Sequence, residues 1–132
     1  MKKIFGILVV SIALHAGSAK FAKEMGYETD YKTAIAKAKK EEKLVMFVIG
    51  TRTCPWCRKF EKQTLKKEEV HSKVLKNFIP LAMYKDGDYP QKFNPKAIPA
   101  VHFIDPNDEE SLLTSMGYKS KKMFLATLED AE

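Results

Sequence analysis

The stretch Thr53-Cys54-Pro55-Trp56-Cys57-Arg58 decides how this chain is read. It holds the two cysteines of the sequence, directly behind the apolar run Leu44-Val45-Met46-Phe47-Val48-Ile49 and ahead of the charged, helix-favouring segment from Arg58 to Glu69. An apolar strand that feeds a helix through a Cys-x-x-Cys turn sets up disulfide exchange, for separable physical reasons. Cys54 falls at the mouth of the helix, where unpaired backbone N–H groups and the positive end of the macrodipole favour thiolate over thiol. It is the expected attacker. Two intervening residues return the Cys57 sulfur about one turn later, within reach of a mixed disulfide that it then resolves. Pro55 suits the first helical turn, since its missing N–H costs nothing there and its φ is already helical.

Two blander readings compete. A Cys-x-x-Cys pair is half of a structural zinc site, but zinc takes four ligands, and His15, His71 and His102 are scattered without ligand spacing. No metal is expected. A permanent structural bridge is the other reading, and it is the weaker one energetically, because so short a loop removes little chain entropy.

The chain has 132 residues, 45% of them hydrophobic, which suffices for one domain with a single core. Its net charge of +6 comes from lysines spread along helical stretches, such as Lys37, Lys39, Lys40, Lys66 and Lys67, without interleaved aromatics. That pattern describes a solvated surface rather than a nucleic-acid footprint. The N-terminus reads as a secretory signal over residues 1–19. Lys2 and Lys3 form its basic start, Ile4 to Ala13 its apolar middle, and Gly17-Ser18-Ala19 the small residues before a cut expected after Ala19. The apolar run is short for a bilayer span, so an uncleaved anchor is the lesser alternative. Residues 20–132 then form the domain. Export places it where disulfides persist, and a single pair at this spacing is a poor framework for a secreted fold, so the pair is expected to react.

Along the chain, Lys20 to Asp30 reads as a polar, linker-like lead-in. Helix follows, with Asp30 as N-cap and Tyr31, Ala34, Ile35 and Ala38 at i, i+3, i+4 and i+7. Residues 44–49, apolar without alternation, are expected as a central strand covered on both faces. After the cysteines, helix is expected to about Lys66, with a second piece carrying Val70, Val74 and Leu75 toward Asn77 and His71 on its wet side. Phe78 to Tyr84 is a second strand, and Pro80 within it marks a sheet edge, since proline donates nothing to a ladder. Asp86 to Asp88 is a loop, and Tyr89 to Pro95 an irregular helical turn. Ala100 to Ile104 forms a third strand, joined by the turn Asp105 to Asp108 to an antiparallel fourth, Ser111 to Met116. Gly117 breaks the pattern, Ser120 caps, and Phe124, Leu125 and Leu128 face the last helix inward. The result is an α/β fold, a mixed sheet of four strands, or five, with helices on both faces.

These residues resemble the thioredoxin superfamily, in particular its small exported thioredoxin-like proteins, over roughly residues 28 to 130. The resemblance rests on Cys54-Pro55-Trp56-Cys57 behind a hydrophobic strand, on Ile98-Pro99 ahead of a later strand, and on Gly117 near the end of the last strand. It implies a thioredoxin fold with Cys54 and Cys57 as the catalytic pair. It also implies a cis Pro99 facing the pair, an Ile98 backbone that aligns an extended substrate, and Pro55, Trp56 and Gly117 beside it. No cofactor is implied. The partners would be protein thiols and disulfides, the electron source a membrane reductase, the location the periplasm, and the state a monomer.

Two departures matter. Thioredoxins carry a buried aspartate six residues before the first cysteine, which accepts the proton of the second thiol; here that position is Val48, and the sequence names no replacement. The dipeptide Pro55-Trp56 also brings no ionisable group, so it offers Cys54 none of the stabilisation an imidazolium would, and a less oxidising couple is expected. Arg52 and Arg58 flank the motif, but exposed arginines act weakly through water. His102 is expected to be a half-buried, satisfied histidine, Met83, Met116 and Met123 core filling, and Glu109 and Glu110 solvated. The function expected is that of a disulfide reductase or isomerase. A disulfide-forming oxidase, or a binding module with incidental cysteines, are the alternatives.

Overall fold

The computed structural model describes residues 18–132, so residues 1–17 of the expected signal segment 1–19 lie outside the described residues. Helices α1 (Ser18–Met25) and α2 (Tyr31–Glu41) lead into strand β1 (Leu44–Gly50). Helix α3 (Pro55–Phe60) runs into a π-helical turn (Glu61–Leu65), then α4 (Glu68–Asn77) and β2 (Phe78–Tyr84). A 3-10 turn (Gln91–Phe93) precedes β3 (Ala100–Asp105), β4 (Glu110–Met116) and α5 (Lys121–Ala131).

The sheet has four strands in the order β2-β1-β3-β4, with β1 parallel to β2 and antiparallel to β3, and β3 antiparallel to β4. The apolar run is therefore interior, paired on both sides and covered on both faces. Its alternation sorts two cores. Val45, Phe47 and Ile49 meet α2 and the 3-10 turn, while Met46 and Val48 meet α1, α3, α4 and α5 through Phe21, Phe60, Val74 and Phe124.

Pro80 sits where its missing donor is harmless. Its carbonyl accepts from Glu28 N–H at 2.8 Å, and Ala82 N–H donates to the Glu28 carbonyl at 3.0 Å, so this set of groups points away from β1. In place of a fifth strand there is, among the described residues, only that isolated bridge, Glu28 to Leu81. Local caps also form as the side chains dictate. Asp30 accepts from Thr33 N–H at 2.9 Å, and Ser120 accepts from Met123 N–H at 3.3 Å.

Several expectations are corrected. The linker-like lead-in is helix α1, and Phe21, Ala22, Met25 and Tyr27 are all buried. Eight residues are too few for a convincing period or for a helix stable by itself; packing on the sheet supplies what propensity lacks. The helix after the cysteines stops being α at Phe60 and continues as the π-helical turn. Met116 and Met123 are exposed, at 44% and 56%, because β4 is an edge strand and α5 turns only Phe124 and Leu128 fully inward. Met83 is half-buried against the α2-side core. His71 is not on a wet face: its ring stacks on Tyr27 at 6.4 Å, and its Nδ1 is buried. Glu109 is engaged as well, accepting a 2.8 Å hydrogen bond from the Tyr31 hydroxyl.

Candidate active site

Cys54 is the N-cap of α3 and Pro55 its first residue. The extended backbone of Cys54 turns its sulfur back over the helix start, where Cys57 N–H donates to Sγ at 3.1 Å. That bond satisfies one of the otherwise orphaned N–H groups and places positive backbone charge against the sulfur. The two cysteines form a disulfide, with Cα atoms 5.2 Å apart. Cys57 is the more buried, 3% exposed against 8% for Cys54, so the outer sulfur is the one a visitor meets first.

Pro99 stands across from the pair. Ala100 pairs with Ile49, which sets Pro99 next to the end of β1, and the Ile98–Pro99 peptide bond is cis. Pro99 is buried and lines one small cavity with Cys57, while Ile98 is half-buried. Gly117 closes the same corner: its N–H donates to the Pro99 carbonyl at 2.7 Å. Its φ of +83° is one that a side chain would disfavour.

Trp56 is 55% exposed. Its ring lies 5.6 Å from Tyr118, and the Lys59 ammonium sits over both rings at 4.8 and 4.9 Å. The flanking arginines are engaged. Arg58 Nε faces Glu61 Oε2 at 2.7 Å and its Nη2 donates to the Thr51 carbonyl at 3.3 Å; the Arg52 guanidinium lies 5.1 Å from the centre of the Tyr84 ring. Thus Arg58 is tied up beside the motif rather than offered to Cys54.

The structure brings Cys54, Cys57, Pro55, Trp56, Ile98, Pro99 and Gly117 to one end of the sheet. His102 stays out of it. It is 6% exposed, with Nε2–H donating to the Phe93 carbonyl at 2.9 Å and Nδ1 3.0 Å from Thr114 Oγ1; desolvation on burial lowers its pKa, opposed by the Phe93 hydrogen bond. A carbonyl only accepts, so the neutral ring carries its proton on Nε2.

Three neighbours escaped the sequence reading. Gly50 ends β1 under the disulfide, where an added Cβ would stand 3.0 Å from Cys57 Sγ. Tyr118 supplies the second face around Trp56. Glu61, one helical turn after Cys57, lines the cavity under the pair with its side chain mostly buried. Burial raises its pKa, against the lowering effect of Arg58 and Lys66. The four-residue spacing from Cys57 to Glu61 was the one signal available, and it is common on any helix. Among the described residues no group of three or more His, Cys, Asp or Glu is placed to hold a metal ion.

This arrangement is similar to known folds. The thioredoxin from Thermus thermophilus superposes with a TM-score of 0.70 at 20% identity, covering 79% of this chain and 85% of that one. A disulphide isomerase from Xylella fastidiosa Temecula1 superposes at 0.61 with 21% identity, covering 75% and 86%. By sequence, spermatogenesis-associated protein 20 of Rattus norvegicus is 32% identical over 53 residues, 40% of this chain but only 7% of that protein. The chain thus spans less than a tenth of that relative's length. The model of the thioredoxin-like domain matches residues 31–132, most of the chain: the chain belongs to the thioredoxin-like domain family.

Proposed function

We propose that this chain is a thiol–disulfide oxidoreductase acting on protein disulfides in the cell envelope, as a reductase or isomerase. The observation that carries the reading is the Cys54–Cys57 disulfide at the start of α3, with Cys57 N–H on the Cys54 sulfur. A sulfur so placed is stabilised as a thiolate once the pair is reduced. In the reductive direction Cys54 attacks a substrate disulfide and expels one substrate thiolate. Cys57, as thiolate, then attacks Cys54 Sγ; the Cys54–Cys57 bond forms, and the second substrate sulfur leaves with its electron pair. Ile98 and Pro99 would align the substrate strand, with Pro55, Trp56 and Gly117 forming the apolar surface beside it. A thioredoxin and a disulphide isomerase among the structural neighbours are in keeping with this chemistry.

What the motif lacks supports this direction. Trp56 carries no charge and Arg58 is paired with Glu61, so the Cys54 thiolate is held chiefly by the helix start, and a moderate rather than strongly oxidising couple results. The envelope location and a membrane reductase as electron source rest on the signal-like residues 1–19 and on the family resemblance. Replacing both cysteines by serine tests the activity: an oxidoreductase loses reduction of a protein disulfide such as that of insulin, whereas a binding module keeps its function. Direction is read from the pair in intact cells, where mostly dithiol supports reductase or isomerase and mostly disulfide supports oxidase. A Cys57→Ala variant traps substrates on Cys54 for identification.

A further inference from the structure

We propose that Glu61 is the proton acceptor for Cys57, replacing from the helix side the acid that Val48 cannot supply from the strand. This deepens the oxidoreductase reading and rests on it. When Cys57 resolves a mixed disulfide its thiol must first lose a proton, and a buried thiol surrounded by apolar groups does not do so readily. The cavity beneath the disulfide is walled by Val48, Ile49, Phe60, Ala82 and Pro99, none of which accepts a proton. Glu61 is the carboxylate in that lining. Its amide N–H donates to the Cys57 carbonyl, which puts the two side chains on one helix face a turn apart. The cavity volume, about 30 Å³, accommodates a water to bridge them, since one needs about 10–15 Å³ by this measure.

The far side of Glu61 opens outward. With Phe21 and Arg58 it lines both the inner cavity and an outer groove that also includes Lys20, Glu24, Lys62 and Lys66. Glu61 is thus the partition between the buried sulfur and solvent. The proton passes from Cys57 to the Glu61 carboxylate and from there to water in the groove. The sulfur attacks Cys54, and the substrate thiolate departs with the electron pair of the broken bond. When the disulfide is opened in reverse, protonated Glu61 returns a proton to Cys57. Desolvation raises the Glu61 pKa towards that of a useful base, while Arg58 Nε at 2.7 Å keeps the carboxylate form accessible. The other groups facing it are Lys20 and Glu24 from α1, Lys62 and Lys66 from its own helix, and Tyr84 from β2.

The reduced full-length protein mixed with Ellman's reagent reports the two steps separately. One thionitrobenzoate is released as Cys54 attacks, and a second as Cys57 resolves the mixed disulfide. Glu61→Gln is expected to slow the second phase at neutral pH by about ten-fold or more, to leave the first within about two-fold, and to recover the second as pH rises until Cys57 ionises unaided. Glu61→Asp, which keeps the acid on a shorter arm, should fall between. A second phase unchanged in Glu61→Gln, or both phases slowed together, overturns the proposal. Should Glu61→Gln not fold, Arg58→Gln carries the test: without its cation Glu61 holds its proton to higher pH, so the rise of the second phase moves up in pH, and an unmoved profile is equally fatal. Failure to reduce insulin would instead count against the enzyme reading, since the reagent needs no protein substrate.

Discussion

A methyl group placed on Gly50 would stand 3.0 Å from the Cys57 sulfur and 3.3 Å from its Cβ. The last residue of β1 is therefore the floor on which the inner half of the disulfide rests. Cys57 is buried and tied to Cys54, so it cannot swing aside. Gly50→Ala should destabilise the oxidised protein by about 1–3 kcal/mol through overpacking, measurable by denaturant unfolding. An unchanged midpoint would show that the site has slack the packing denies.

Trp56 is exposed and leans on Tyr118 and Lys59 at the surface. Trp56→Ala should leave unfolding free energy within about 0.5 kcal/mol while lowering kcat/KM for a protein disulfide roughly ten-fold, the loss of an aromatic anchor worth about 1–2 kcal/mol. Equal kinetics for variant and wild type would remove Trp56 from the substrate surface.

Phe21 sits edge-on to Tyr27 at 5.3 Å and belongs to the core packed under the active-site helix. Its truncation to alanine should cost about 3 kcal/mol, at the lower end for a buried phenylalanine because α1 is short and can shift. Thermal unfolding checks this; a loss below about 0.5 kcal/mol would mean that α1 is a lead-in after all.

His102 is buried and neutral, and its folded pKa lies below the ordinary 6.5 because desolvation penalises the charged ring. The unfolded chain then binds the proton first on acidification. The stability contributed by the neutral ring is complete above pH 6.5 and is lost progressively as pH falls through the lowered folded value. Urea midpoints should decline over that window in the wild type and decline less in His102→Asn. A parallel decline in both would assign the acid sensitivity to other groups.

Much of the fold was readable because its signals are local. A cap is read within three residues, as at Asp30 and Ser120; a helix start is marked by Cys54-Pro55; an interior strand announces itself by an unbroken apolar run; an edge is marked by Pro80, whose missing donor tolerates no inner partner. The short connection between β3 and β4 likewise admits only the antiparallel pairing that is found. Each of these constraints acts over a few residues of backbone, so the sequence by itself determined them.

What only the tertiary structure decided are relationships between residues far apart in the chain or dependent on depth. The 2.8 Å bond from Tyr31 to Glu109 spans 78 residues. Tyr118 joins Trp56 only because β4 ends beside α3, and α1 is a helix only because the sheet offers Phe21 somewhere to go. Glu61 is the clearest instance: in the sequence it is one charged helical residue among many, and its burial beside Cys57 depends on which face of α3 the sheet covers. Apolar pattern chooses that face, but the cavity left beneath it depends on the volumes of side chains from several separate elements, and no local spacing encodes their sum.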